Sequence, residues 1–113
     1  MARRVHQPLE DQEFDFILTM AGAGPVLAYF CGSWPKAVQA CRAMDAVVGE
    51  LAEEYGPRLT AVRTDITRCP GATRRYGVSG APTAVLVKDG EAVASQAGPM
   101  TREEFREFLD AHL

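Results

Sequence analysis

The chain has 113 residues, of which 47% are hydrophobic and 24% charged, with a formal net charge of -3. That length suits one domain, residues 1–113, with a core large enough to need no disulfide staples. The charge balance gives nucleic acid no electrostatic footing, and no apolar run approaches the roughly 20 residues that span a bilayer. Ala2-Arg3-Arg4 is basic but lacks the apolar stretch of a signal peptide, so a soluble, cytoplasmic protein is the expectation. The three cysteines, Cys31, Cys41 and Cys69, are an odd number at wide spacing and do not read as a disulfide framework. His6 and His112 stand at the two ends, so no metal-ligand cluster stands out and no cofactor is expected.

Met1–Gln7 reads as an arm with a short strand around Val5, and residues 1–8 as a flexible lead-in. Asp11 is a good N-cap for a helix over Gln12–Met20, with Phe14, Ile17 and Leu18 at helical spacing. Ala21-Gly22-Ala23-Gly24-Pro25 breaks the chain before Val26–Cys31, a continuous apolar run of the kind buried on both faces of a sheet. Pro35 suits the first turn of the next helix, with Ser33 or Trp34 near its cap. From Lys36 to Tyr55, Ala37, Cys41, Met44, Val48, Leu51 and Tyr55 recur at steps of three and four and share one face.

Gly56-Pro57 stops that helix, and Leu59–Thr64 is a strand with Leu59, Ala61 and Arg63 on one side. A loop over Asp65–Cys69 leads to a short helix opened by Pro70 and running through Arg75. Gly80-Ala81-Pro82 connects tightly to the strand Thr83–Lys88. Asp89-Gly90 signals a type I′ hairpin turn, and the return strand Glu91–Ala97 is polar enough for a sheet edge. Thr101 and Glu104 form a capping box, and the last helix buries Phe105, Phe108 and Leu109, with Leu113 a further candidate. Strand–helix alternation early and a hairpin late imply an α/β fold with a mixed sheet flanked by helices.

In this order the segments resemble the thioredoxin family. Pro25-Val26-Leu27-Ala28-Tyr29-Phe30 is similar to its central strand, and Leu51-Ala52-Glu53-Glu54-Tyr55 to the end of its second helix. Tyr76-Gly77-Val78-Ser79-Gly80-Ala81-Pro82-Thr83 resembles the approach to its cis-proline loop, Lys88-Asp89-Gly90-Glu91 its hairpin, and Phe108–Leu113 the end of its last helix. The resemblance implies a thioredoxin fold from Leu9 onward and a cis Ala81–Pro82 bond. It also implies a peptide-binding surface at Trp34, Ala81, Pro82 and Gly98.

The family's chemistry needs Trp-Cys-x-x-Cys at the start of the second helix, where the first thiolate attacks and the second resolves. Here Trp34 is followed by Pro35-Lys36-Ala37-Val38. Counted back from the helix end, Val38-Gln39-Ala40-Cys41 occupies the motif, with Cys41 at the resolving position and Val38 in place of the attacking cysteine. Tyr29 stands where the family has a buried acid, and Arg63 where it usually has a lysine. The motif therefore reads as degenerate, and conventional dithiol exchange is not expected.

Cys41 has two readings, a small buried hydrophobe or a residual reactive thiol. Cys31 ends the central strand, and a Cys31–Cys41 bridge across the strand–helix turn is a further option. Cys69 reads as a partly exposed loop residue. The leading expectation is a non-catalytic, chaperone-like module that binds a protein or peptide partner, with neither nucleic acid nor membrane involved. Its alternatives are a thiol–disulfide oxidoreductase in redox homeostasis using Cys41, alone or with Cys31, and a structural subunit of a larger assembly.

Overall fold

In the computed structural model, which describes residues 5–22 and 24–112, the chain runs through five strands and four helices. These are β1 (Val5–His6), α1 (Asp11–Ala21), β2 (Val26–Cys31), α2 (Pro35–Tyr55), β3 (Thr60–Asp65), α3 (Pro70–Arg75), β4 (Thr83–Lys88), β5 (Glu91–Ala97) and α4 (Arg102–Asp110). A 3-10 turn at Gly56–Arg58 follows α2. The sheet order is β1-β3-β2-β4-β5. β3 pairs parallel with both β1 and β2, whereas β4 runs antiparallel to β2 and to β5. This is the mixed sheet expected from the sequence. The arm's short strand is present as β1, while residues 1–4 and Leu113 lie outside the described residues.

All six residues of β2 are buried, because helices cover both faces of the central strand. Successive side chains of a strand point to opposite faces, so β2 feeds two cores. Leu27, Tyr29 and Cys31 join Cys41, Met44, Val48 and Leu51 of α2 and Phe105 and Leu109 of α4. Val26, Ala28 and Phe30 join Phe14 of α1, Ala72 of α3, and Cys69. Full burial of a side chain such as Leu27 or Phe30 stabilises the fold by about 1.5–3 kcal/mol. Among the described residues, no helix is long and apolar enough to cross a membrane.

The local signals act largely as their chemistry suggests. Asp89 and Gly90 take φ values of 53° and 81°, the left-handed conformation a type I′ turn requires. At α4 the Thr101 hydroxyl accepts from the Glu104 N–H, and the Glu104 carboxylate accepts from the Thr101 N–H. β3 starts one residue later than expected, at Thr60. Leu59 and Ala61 still face α2, as does Arg63, which reaches Asp45 on that helix.

Asp11 does a different job from the one expected. Glu10 occupies the N-cap position of α1, and Asp11 is the first helical residue. Its carboxylate instead accepts from the backbone N–H groups of Gly71 and Ala72, at 3.0 and 2.9 Å. Asp11 thereby caps α3, a helix sixty residues away, and satisfies donors that its first turn leaves unpaired. Gly71 permits the approach, since a Cβ there would lie 2.8 Å from the Asp11 carboxylate.

Candidate functional site

β2 ends at Cys31, the chain turns through Gly32 and Ser33, and Trp34 takes the N-cap position of α2 with Pro35 behind it. The helix returns antiparallel over the strand it has just left. Its buried stripe therefore carries Cys41 back over Cys31. The two form a disulfide with Cα atoms 6.0 Å apart, inside the usual range for such a bridge. Both cysteines are almost fully buried.

The expectation of a lost redox pair is thus corrected. A bridged cysteine pair is present at a sequence separation of 10, formed across the strand–helix turn rather than within one helical turn. A motif sought as two cysteines with two residues between them misses it. Cys41 is buried on the apolar stripe of α2, as its reading as a small hydrophobe expects, but it is bridged rather than free.

At the start of α2 lies a groove of about 420 Å³, lined by Trp34, Ala37 and Ala40 on one side and by Ala81, Pro82 and Gly98 on the other. The four residues that the family resemblance marked for peptide binding all contribute to it. The Ala81–Pro82 bond is cis, and Gly98, at φ 88°, donates its N–H to the Pro82 carbonyl at 2.8 Å. Trp34 is 43% exposed and stands at the rim of the groove. Its indole lies against Gly32, where a Cβ would collide with the ring. In sequence, Ala37 stands one helical turn before Cys41 and Ala40 immediately before it, and neither cysteine lines the groove.

Below the bridge sits a polar cluster. Tyr29 is buried and donates its hydroxyl to the Asp45 carboxylate at 2.7 Å. Arg63 donates its Nε–H to the same oxygen at 2.9 Å. Burial, then the hydrogen bond to Asp45, pushes the Tyr29 phenol far above its ordinary range, so it remains protonated at neutral pH. Tyr29 and Arg63 are paired across β2 and β3, as their family positions suggest, but what joins their side chains is Asp45. Sequence reasoning passed over that residue. The available signal was its place four residues after Cys41, on the same side of α2.

Cys69 also differs from expectation. It is fully buried against α1 and α3, with its thiol directed at the Pro8 carbonyl, 4.0 Å away. Burial and the nearby Asp11 push its pKa up to about 11, which leaves it inert as a nucleophile at neutral pH.

The comparisons with known proteins agree with this geometry. The thioredoxin family model matches residues 5–111. Thioredoxin C-2 of Corynebacterium nephridii is 33% identical over 89 residues, covering 79% of this chain and 80% of its own. The thioredoxin of Bacillus subtilis is 33% identical over 90 residues, covering 80% of this chain and 84% of its own. The thioredoxin of Pseudomonas aeruginosa is 31% identical over 90 residues, or 80% and 81% of the two chains. Together with the Cys31–Cys41 bridge, these relatives overturn the expectation of a non-catalytic, chaperone-like module. With the family model spanning nearly its whole length and relatives above 30% identity over most of it, this chain belongs to the thioredoxin family.

Proposed function

We propose that the protein is a thiol–disulfide oxidoreductase whose working pair is Cys31 and Cys41. The observation that carries this reading is the disulfide itself. In the reduced protein, the Cys31 thiolate attacks one sulfur of a substrate disulfide. A Cys31–substrate disulfide forms, and the first substrate sulfur leaves as a thiolate that takes up a proton. The Cys41 thiolate then attacks Cys31 Sγ, closing the Cys31–Cys41 bridge and releasing the second substrate thiolate. The substrate gains two electrons and two protons, the cysteine pair is oxidised, and an external dithiol resets it.

The substrate of this reading is a disulfide-bearing protein or peptide laid along the groove, with Trp34 and Pro82 as its apolar walls and Gly98 leaving room for its backbone. A reducing compartment such as the cytoplasm would supply the dithiol. The test is catalysed reduction of a disulfide-bonded protein by dithiothreitol. We expect turnover that is abolished in Cys31→Ser and Cys41→Ser and retained in Cys69→Ala. Trp34→Ala should lower kcat/KM about tenfold, the effect of losing one aromatic anchor. A rate no higher than that of dithiothreitol alone would contradict the reading.

A further inference from the structure

We propose that the recess between β1 and α1 is a docking site for a basic amphipathic helix of a protein partner, anchored on Phe16 and Met20 and steered by the carboxylate of Glu13. The recess is on the side of the sheet covered by α1, whereas the Cys31–Cys41 bridge lies under α2. The proposal goes beyond the oxidoreductase reading and does not depend on it.

α1 has two apolar sides. Phe14 points inward and is fully buried, with Ile17, Leu18 and Ala21 packed against the same core. Phe16 and Met20 stand four residues apart, on one side of the helix, and are 63% and 71% exposed. A surface helix ordinarily carries polar residues there. Leu9, just before the helix, is 60% exposed. Of the five large hydrophobic residues exposed among the described residues, these three fall in one short segment. Phe16 and Met20 border a recess of about 450 Å³, whose lining includes Pro8, Ile17 and Ala21. Single exposed apolar residues are ordinary, but a cluster around a concavity marks an interaction surface.

The form and charge of the surface select the occupant. β1 is an edge strand, yet it has only two residues, and Pro8, which lacks an N–H, follows closely. It offers little ladder to an added strand. A helix presenting apolar anchors at steps of three and four fits a recess of this kind. Among the described residues, Glu13 is the only Asp, Glu, Lys or Arg in the lining, and His6 is the other ionisable group there. Glu13 is exposed and accepts from the Leu9 N–H through one oxygen. α1 carries Asp11, Glu13 and Asp15 and neither Lys nor Arg. Asp11 is engaged by α3 and Asp15 by Arg75, so Glu13 and the exposed Glu10 are the carboxylates left to meet a partner. A second copy of this chain would bring the same carboxylates to the contact. A helix with Lys or Arg flanking its apolar stripe brings the opposite charge.

The experiment is an NMR titration of the nitrogen-15-labelled full chain with a designed helix of about four turns, made of leucine at steps of three and four and lysine elsewhere. The same peptide with glutamate in place of lysine is the control. We expect saturable binding of the lysine peptide, with shifts confined to β1 and α1, and no binding of the glutamate peptide. Phe16→Ser should weaken binding about tenfold or more, as for loss of an apolar anchor. Glu13→Gln should weaken it about threefold at low salt and less at high salt. Both side chains are exposed, and circular dichroism checks that each variant is folded. Absence of saturation, shifts centred on Trp34 and Pro82, equal binding of the glutamate peptide, or an unchanged affinity in Phe16→Ser would overturn the proposal. So would self-association of the protein alone that Phe16→Ser abolishes, since it would assign this face to a second copy. The readout is binding, so it stays decisive even if turnover of a disulfide protein fails.

Discussion

The two faces of the sheet each bury cysteine, one as a bridged pair and the other as a free thiol. Under α2 and α4, Cys31 and Cys41 meet next to the hydrogen-bonded Tyr29–Asp45 pair. Under α1 and α3, Cys69 sits among Phe14, Phe30, Val62 and Ala72. Burial alone therefore does not distinguish a bridged cysteine from a free one. The difference lies in a second cysteine within bridging distance.

The comparison can be broken or sharpened by substitutions on the second face. Phe14→Ala should have the largest effect, costing about 3–5 kcal/mol in chemical denaturation, as expected for loss of a fully buried ring. The bridge should still form in the folded fraction. If that variant lost the disulfide while folded, the two faces would not be independent. Asp11→Ala removes the acceptor of two N–H groups at the start of α3 and should cost about 1–2 kcal/mol in the same measurement.

Cys69 gives the smallest and most specific effect. Its folded pKa, near about 11, is raised above the ordinary value of 9.0. The stability tied to its neutral form is thus fully present below pH 9.0 and is lost as pH rises through about 11. Cys69→Ala should soften the alkaline decline in stability between those limits without altering redox behaviour. Tyr55, pushed up to about 12 by burial and by its bond to Asp110, begins to contribute to the same decline only at higher pH.

What was legible in the sequence is what short-range chemistry decides. The apolar run of β2, the Asp89-Gly90 turn and the Thr101–Glu104 box each carry their meaning within a few residues. The ordered likeness to a known family supplied the cis bond at Pro82 and the groove residues, which no local pattern reveals. The misread features depend on contacts between distant segments. Asp11 finds its partners 60 and 61 residues away, Cys69 meets Pro8 across 61, and Asp45 meets Tyr29 and Arg63 across 16 and 18. The Cys31–Cys41 pair is intermediate: it was open as an option, but it depends on how α2 folds back on β2 rather than on spacing alone.

The most direct test of the central claim is thiol mapping by mass spectrometry, without reduction and then across a graded series of dithiol/disulfide buffers. The account predicts that Cys31 and Cys41 are linked in the oxidised protein and open together in one two-electron step, with Cys69 a free thiol throughout. Three free thiols under oxidising buffers, or a bridge that involves Cys69, would contradict it.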